Sequence, residues 1–527
     1  MKLIKSTAII GTLTLLSRVL GLVRDTFMTK YLGAGPVTDA LITAFKIPNT
    51  FRRIFAEGAF NAAFVPLYAR RIEEDGEDGA DKFASEAFAA LLLMVTAIVV
   101  LFEVTMPWTL NLFGMGLDRT GETGAVFGMN LSPYALAVLC AQITMPYLLL
   151  ISLTSMFSGI LNTRHHFAVA AFAPVLFNIT QISILVMMAS AGWSQPLLAV
   201  YLCVGMTLSG FMQVGLVYWA CKKSGLNLSL KRPRLTPGVR RLFVLGVPGM
   251  LAAGVTHINI MVSNSIATLQ DSAASWLYWA DRLYQLPLGM IGIAMGIALL
   301  PALSRRLRAG DEQGAQTSLN RAMEIAAFLT LPAAAALAVM PEFLVGGLFQ
   351  RGAFDASDTL ATSMALRMFA FGLPAFVLIK VLTPAFFARE NTKTPMIYAA
   401  MSAVINLLLG LVLFFTVGFW GLAVATSIAG WINVIFLTRA LLKSGAFTPD
   451  ERLKTRLPRI AIASLLMGGA VWALSAHLMP QLGTGFVKNY LLLGLVSGAG
   501  LLFYAACALA LRAYGPSDIR YALGKDK

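Results

Sequence analysis

Ionisable side chains lie inside two strongly apolar stretches at the start of the chain, residues 7–33 and 38–68. An arginine guanidinium binds phosphate or carboxylate through two parallel hydrogen bonds. A surplus of arginine in an apolar setting therefore indicates an anionic ligand, whereas a carrier of protons or cationic drugs would leave unpaired acids. The polar residues that we select as candidate ligand contacts in these stretches are Arg18, Arg24, Asp25, Asp39, Lys46, Asn49, Arg52, Arg53 and Glu57.

The spacing of these residues predicts polar faces on two helices. At 100° per residue, four positions of the second stretch fall within about 40° of one another. Arg18 and Asp25 share a face of the first stretch. Each charge costs about 2.5 to 3.5 kcal/mol at the centre of a membrane helix, so we expect these faces to point away from lipid. The four aligned positions are Asp39, Lys46, Arg53 and Glu57, and Asp281 with Arg282 forms a sparser counterpart in the second half.

Internal ion pairing is an alternative role for some of these charges. Arg53 and Glu57 are four residues apart, the spacing at which opposite charges pair along a helix. Arg24 and Asp25 can likewise form one orienting pair. For these residues, helix packing and ligand contact both remain open.

The composition places the chain in a membrane. Of the 527 residues, 57% are hydrophobic and 13% are charged, against about 25% charged in soluble domains. The net charge of +15 would indicate nucleic acid in a soluble protein, but here the loops between apolar blocks account for it, and we predict no nucleic-acid partner. The four cysteines and four histidines lack metal-ligand spacing, so we predict no metal site.

Apolar blocks long enough to cross a bilayer predict an all-α polytopic membrane protein with about fourteen transmembrane helices. No segment between them, the longest being about 69–82, 108–124 and 221–238, is long enough for a folded domain. The predicted spans are 7–33, 38–68, 83–107, 125–151, 167–190, 196–220, 239–263, 273–303, 318–340, 360–388, 395–417, 420–441, 457–478 and 489–512.

The distribution of Lys and Arg orients these spans. Seven Lys and Arg residues lie in residues 222–241 alone, whereas all the loops predicted to face the opposite side together hold only four. Positive loops face the cytoplasm, so we expect both termini there. The first apolar run meets Ser17-Arg18 rather than a cleavage site, so we expect it to remain as a span. The four outer basic residues are Lys30, Arg119, Arg351 and Lys488.

Three ordered matches at an offset of about 220 to 235 residues indicate an internal repeat. The offset covers six helices, an even number, so both copies have the same orientation. Parallel six-helix repeats are typical of transporters, although an inert duplicated bundle would show the same pattern. We therefore predict an N-lobe at 1–222, a C-lobe at 223–445, a water-filled cavity between them, and an extra helix pair at 446–527. The matches are Lys223–Gly225 with Lys443–Gly445, Asn162–Asn178 with Asn391–Asn406, and Pro66–Arg71 with Pro301–Arg306.

The last two spans carry no acid or base in their central parts, Ile460–Ala476 and Leu491–Leu511. Such helices suit contact with lipid tails, so membrane lipids are expected partners. Scaffold or dimer helices would have the same composition.

Several motifs resemble the MurJ/MviN family of lipid II flippases in the MOP exporter superfamily. The resemblance extends over the whole chain, and the run at 52–60 is its most specific part. The motifs are SRVLG at 17–21, RD at 24–25, TDA at 38–40, FKIPN at 45–49, RRIFAEGAF at 52–60, WADRLYQ at 279–285 and QRGAF at 350–354.

The resemblance implies a fold of two six-helix lobes in a V, with two further helices whose groove takes a polyprenyl tail. It implies a transporter of lipid II, the undecaprenyl-pyrophosphate-linked peptidoglycan precursor, between the leaflets of the bacterial inner membrane by alternating access. Cell-wall synthesis and division proteins are further expected partners. In the family's central cavity, the resemblance assigns places to Arg18, Arg24, Arg52 and Arg282, and conserved polar positions to Asp25, Asp39 and Glu57.

The resemblance also bears on the energy source. Some members of the family resemble cation-coupled carriers with acids on the seventh and eleventh spans. Here His257 and Asn259 lie on the seventh span and Asn406 on the eleventh. We therefore expect no cofactor and favour coupling to the membrane potential over a monovalent cation.

Rival functions make different demands on the sequence. An exporter of another polyprenyl-linked oligosaccharide, or a multidrug exporter, would share the fold. A glycosyltransferase would need a catalytic carboxylate in a large outer loop. The only sizeable loop predicted on that side is a short segment that holds Asp118 and Glu122. A scaffold for wall-synthesis proteins would not need the buried charges. We predict a transporter rather than an enzyme.

Overall fold

The computed structural model describes residues 2–53, 60–118, 120–121, 123–229 and 232–515. Helices make up almost all of this part of the chain. They are α1 (Lys2–Leu32), α2 (Pro36–Arg52), α3 (Phe60–Phe113), α4 (Pro133–Thr144), α5 (Tyr147–Thr163), α6 (Phe167–Ser190), α7 (Gln195–Lys223), α8 (Pro237–Ala267), α9 (Ala273–Arg308), α10 (Glu312–Val339), α11 (Pro341–Phe349), α12 (Ala356–Phe387), α13 (Lys393–Val417), α14 (Trp420–Lys443), α15 (Glu451–Leu478) and α16 (Phe486–Ala510).

Ten segments in the described part of the chain are long and apolar enough to cross a membrane. The all-α polytopic fold is therefore confirmed. α1, α8 and α9 are 31, 31 and 36 residues long, lengths that also suffice to span a bilayer. The count of fourteen spans stays a prediction.

The predicted start of the fourth span, residue 125, is wrong. Residues Ala125–Val126 (β1) and Met129–Asn130 (β2) form a two-stranded antiparallel hairpin. Gly128 at its turn has a φ of 83°, a conformation that glycine adopts without strain. The helix begins only at Pro133, where the Ser132 side chain accepts a hydrogen bond from a backbone N–H of the first turn. Proline at the first helical position and serine before it are strong helix-start signals.

The polar segment 69–82 is helical and belongs to α3. Arg70 pairs with Glu74 at 2.6 Å and Arg71 with Asp75 at 3.1 Å, both four residues apart. Gly76 has a φ of 72° and interrupts the helix there. The helix that contains the end of the second predicted span therefore runs on through residues 69–82 into the third predicted span, with one break at Gly76.

The chain divides into two compact units, Met1–Ser275 and Trp276–Lys527. The first unit contains α8, which packs on α3 and α2. The two units are groups of residues that pack mainly among themselves. The lobe boundaries predicted from the repeat, at 222/223 and 445/446, stay predictions.

An anchor in the first unit ties the loop after α7 to the start of the second half of α3. Arg164 donates to Asp81 at 2.7 Å and to the Ser224 carbonyl at 2.8 Å. The other Asp81 oxygen accepts from the Asn227 N–H at 2.8 Å. Asp81 is 4% exposed, so its charge depends on these partners.

The second unit makes comparable contacts after α14. The Gln316 side chain donates to the Gly445 carbonyl at 2.7 Å, and the Asn320 side chain donates to the Thr448 carbonyl at 2.9 Å. Gly225 and Gly445, the glycines of the two matching Lys-Ser-Gly motifs, have φ values of 91° and 70°. The strongest sequence match between the halves therefore has the same local conformation in both.

Glu324 on α10 is the centre of a second buried cluster of charges. Its side chain is 1% exposed and pairs with Arg321 at 2.8 Å, Arg452 at 3.1 Å and Arg456 at 2.7 Å. Arg452 and Arg456 belong to α15, so one carboxylate links the last helix pair to α10. Arg321 also pairs with Asp450, the N-cap of α15, at 2.7 Å.

We expect Glu324→Gln to destabilise the protein, because three arginines would lose the carboxylate that they share. Removing one member of a buried charge network typically costs about 3 to 5 kcal/mol. The midpoint of thermal unfolding in detergent should fall by several degrees. Glu451→Gln is the control, since Glu451 is 87% exposed in its pair with Lys454, and it should leave the midpoint within error. Equal midpoints for both variants would contradict this role.

Candidate functional site

The predicted site residues of α1 form a buried network with α6. Arg24 and Asp25 are 8% and 5% exposed, and their side chains pair at 2.6 Å. Arg24 also donates to the Asn178 side-chain oxygen at 3.1 Å, and its guanidinium lies 5.5 Å from the ring centre of Phe177. The predicted orienting pair is therefore present, and the packing of α1 on α6 fixes its position.

The polar face of α2 contacts the C-terminal end of α8 and the first turn of α9. Asp39, 3% exposed, accepts hydrogen bonds from the Ser275 N–H at 2.8 Å and from the Ser275 hydroxyl. Lys46 donates to the Asn264 side-chain oxygen, and Asn264 donates to Thr43 at 3.3 Å. Asp39 and Lys46, which are predicted to share a helix face, both contact residues between positions 264 and 275.

The C-terminal end of α2 carries the remaining described candidates of that stretch. Arg52 donates through two nitrogens to the Asn49 side-chain oxygen, at 2.9 and 2.8 Å. Arg53 is the C-cap, and its backbone N–H bonds to the carbonyls of Asn49 and Thr50. Arg52 and Arg53 are both half-buried. Glu57, and with it the proposed Arg53–Glu57 pair, lies outside the described residues.

Asp281 and Arg282 lie on α9 in the second unit. Arg282 donates to the Tyr278 hydroxyl at 3.1 and 2.8 Å and lies 5.0 Å from the ring centre. Asp281 accepts from the Gln285 side chain. Both residues are half-buried and have partners one turn away on the same helix.

Arg18 lines a pocket between α1, α5 and α6 within the first unit. The pocket has a volume of about 560 Å³, within the range of about 300 to 1,000 Å³ that is usual for ligand sites. Its polar lining comprises Thr14, Ser17, Arg18, Ser158 and Asn162.

Several polar partners were missed by sequence reasoning. Asn178, Asn264 and Ser275 bond to predicted site residues from 154 to 236 positions away in the chain. In the sequence, Asn178 stands out only as part of a repeat match. A polar residue within a long apolar span is the signal that identifies Asn178 and Asn264, whereas Ser275 gives no such signal because it lies at a helix start.

Asp118, one of the two carboxylates considered for an enzyme, has a structural role here. Asp118 accepts hydrogen bonds from the Thr120 N–H at 2.8 Å and the Gly121 N–H at 3.0 Å. These bonds fix the turn that leads toward the hairpin. Glu122 lies outside the described residues. In the part of the chain that the structure describes, no three His, Cys, Asp or Glu side chains are grouped as metal ligands would be.

Long apolar helices with buried charges define a polytopic membrane transporter, and solved structures agree. The inward-closed lipid II flippase MurJ superposes with a TM-score of 0.74 at 25% identity, over 95% of this chain and 98% of that one. An inward-facing multidrug-resistance MATE transporter of the MOP superfamily gives 0.69 at 17% identity, over 83% and 98%. The second match shows the fold alone.

The particular family follows from the sequence comparisons. The family model described as "Lipid II flippase MurJ" matches residues 28–493. A probable lipid II flippase MurJ of Rhizobium meliloti is 41% identical over 96% of this chain and 93% of the relative. The lipid II flippase MurJ of Burkholderia cenocepacia is 32% identical over 89% of both. The chain belongs to the lipid II flippase MurJ family, a family of transporters, and the predicted family and transporter class are confirmed.

Two substitutions at Asp39 should separate hydrogen bonding from charge. Asp39→Asn keeps an oxygen that can accept from Ser275, while Asp39→Ala leaves the Ser275 N–H without this acceptor. Hydrogen bonds to charged groups contribute about 1.5 to 3 kcal/mol, so Asp39→Ala should lower the thermal midpoint clearly and Asp39→Asn much less. Identical losses in the two variants would show that the charge, not the anchoring of Ser275, is what matters.

Proposed function

We propose that this chain moves lipid II from the cytoplasmic to the outer leaflet of the bacterial inner membrane by alternating access. Lipid II carries a pyrophosphate between its polyprenyl tail and its disaccharide pentapeptide head. The family match over residues 28–493 supports this substrate. A transporter for it must accommodate a doubly charged anion inside a bundle of apolar helices.

One observation carries the proposal: α1 and α2 hold charged residues inside an apolar bundle, fixed by side chains of other helices. Arg24 contacts α6, and Lys46 contacts α8. Long basic side chains near a membrane surface would instead extend to the headgroups. Charges held within a transporter bundle mark a substrate or ion path.

We assign the basic residues Arg18, Arg24, Lys46, Arg52, Arg53 and Arg282 to contacts with the pyrophosphate and sugar head. In this assignment Asn49 and Asn178 orient guanidinium groups, since each offers a neutral amide oxygen. Asp25 orients Arg24, Asp39 anchors Ser275, and Asp281 positions Gln285. A neutral acceptor aligns a cation without cancelling its charge, whereas Asp25 is a counter-ion of Arg24 that the pyrophosphate would have to share. Glu57 stays a predicted polar position of the same path.

The rival exporters have weaker support. Multidrug MATE transporters share the fold at 17% identity, while the curated relative from Rhizobium meliloti is 41% identical and is named a probable lipid II flippase. An exporter of a different polyprenyl-linked oligosaccharide would use the same pyrophosphate contacts, so only the identity of the cargo separates it from this proposal.

We also propose that both termini face the cytoplasm and that α15 and α16 contact the polyprenyl tail or bilayer lipids. The bias of Lys and Arg toward alternate loops supports the orientation. Many large apolar side chains of the last two helices are exposed, among them Leu465, Trp472 and Leu502 at 72%, 60% and 75%. Cell-wall synthesis and division proteins remain predicted partners.

Arg52→Ala should abolish lipid II translocation while leaving the protein inserted and folded, because the proposal assigns the guanidinium to the pyrophosphate and the side chain is only half-buried. The measurement is the accessibility of lipid II in the outer leaflet of cells that depend on the variant. Arg70→Ala is the matched control, because Arg70 is an exposed arginine in an i, i+4 pair, and it should translocate normally. Full translocation by the Arg52→Ala variant would count against the proposal.

Translocation should respond to the membrane potential and not to sodium. The acid positions on the seventh and eleventh spans are occupied by neutral or imidazole side chains, among them the buried Asn406. In proteoliposomes, a potassium-diffusion potential should change the translocation rate, and replacing sodium by choline should not. A rate that follows sodium and ignores the potential would reverse this assignment.

A further inference from the structure

The pocket beside Arg18 contains polar groups that the fold itself does not use. Among the described residues, the side chains of Thr14, Arg18, Ser158 and Asn162 make no hydrogen bond or ion pair. Hydroxyls within a helix commonly bond back to a carbonyl one turn earlier. Ser152 and Thr154 do so on α5, at 2.7 and 2.9 Å, but Ser158 on the same helix does not. Four unused polar side chains therefore line one pocket.

The charge of the pocket favours an anion. Arg18 is the charged member of its described lining, and no acid lies among the residues that form it. A guanidinium offers five N–H donors, a carboxamide two and each hydroxyl one. Donors of this kind around one cation match the oxygens of a phosphate or pyrophosphate.

The remaining lining of the pocket is apolar and indicates that the anion carries a hydrocarbon part. It is formed by Ile10 on α1 and by Phe167, Ala170, Ala171 and Pro174 on α6. An inorganic phosphate would gain nothing from these side chains, whereas the junction of a phosphate and a lipid chain would bury apolar surface there. The pocket therefore suits a lipid-linked phosphate better than a free one.

A hydrogen-bonded connection joins this pocket to Arg24. The Asn178 side-chain nitrogen donates to the Ser17 carbonyl at 3.0 Å and to the Ser17 hydroxyl at 3.3 Å, while its oxygen accepts from Arg24 at 3.1 Å. Arg18 and Arg24 are six residues apart, about 9 Å along the axis of α1 at 1.5 Å per residue. Asn178 thus contacts both the lining of the pocket and the buried Arg24–Asp25 pair.

We propose that this pocket is a cytoplasm-side docking site for the phosphate end of the lipid-linked substrate, occupied before the substrate reaches Arg24. This proposal rests on the proposed function. The pocket adjoins the end of α5 and the start of α6, which the charge bias predicts to be cytoplasmic. Ser158 and Asn162 become substrate contacts there, together with Arg18. A phosphate on a bilayer phospholipid offers the same chemistry, so the test must separate the two sources.

Maleimide labelling of a cysteine in the pocket provides that test. Cys140, Cys203 and Cys221 are buried and Cys507 is partly exposed, so Cys507→Ser gives a quiet background. In that background Asn162→Cys places the label in the pocket, and Ala168→Cys, at an exposed position on α6 outside the lining, is the control. Labelling rates are measured in phosphatidylcholine nanodiscs, with lipid II or phosphatidylglycerol added at equal mole fraction.

The proposal expects lipid II to slow labelling at position 162 several-fold, phosphatidylglycerol to do so far less, and neither to affect position 168. Adding Arg18→Gln should remove the protection. Equal protection by phosphatidylglycerol would overturn the proposal and identify a phospholipid site. Absence of protection in a protein that still binds and translocates lipid II would also overturn it. Loss of lipid II binding and translocation in the parent protein would instead refute the proposed function.

Discussion

The structure depends on how charged side chains are held within an apolar helix bundle. A charge at the centre of a membrane helix costs about 2.5 to 3.5 kcal/mol unless a neighbour compensates it. The described helices meet this constraint with specific partners from distant parts of the sequence. Asn178 reaches Arg24 across 154 residues, and Ser275 reaches Asp39 across 236. Each contact fixes one helix against another, so the charges that suit substrate binding also determine the packing of α1 and α2.

Two kinds of charge cluster serve different ends. Around Glu324, one carboxylate is shared by three arginines, and ion pairs between α10 and α15 hold the last helix pair in place. Around α1 and α2, carboxamide and hydroxyl groups from α6, α8 and the start of α9 contact the charged residues, and Arg24 also pairs with Asp25. A shared carboxylate stabilises by neutralising charge, whereas amides and hydroxyls mainly orient it. The cluster at Glu324 is therefore a stabilising one, whereas at α1 and α2 neutral groups help to orient the charged residues that we assign to the substrate.

Helix existence and type were predictable from the sequence because the apolar blocks are long and their ends carry strong signals. The predicted fifth span, 167–190, has the same limits as α6. The fourth span was placed too early because the hairpin at 125–130 lies next to apolar residues, and only its glycines and the Ser132-Pro133 pair mark the true start. The polar segment 69–82 gives no apolar signal, although its i, i+4 ion pairs are compatible with a helix.

The candidate site was predictable as a set of residue types but not as a set of contacts. Helical periodicity placed Asp39 and Lys46 on one face, and both contact the same part of the chain. Periodicity gives no information about the partner helix, so it could not show that Asn264 and Ser275 are the partners of these two residues. The pocket at Arg18 is lined by residues of three helices, among them Ala170 and Ala171, and the sequence alone does not show that these helices meet.

The central claim is that buried basic groups recognise the pyrophosphate of a lipid-linked substrate, and a comparison of two ligands tests it most directly. The affinity of the purified protein for undecaprenyl pyrophosphate and for uncharged undecaprenol can be measured by native mass spectrometry. The account predicts much tighter binding of the pyrophosphate form, with the preference weakened when Arg24 and Arg52 are both replaced by glutamine. Equal affinity for the two ligands in the unmodified protein would contradict it.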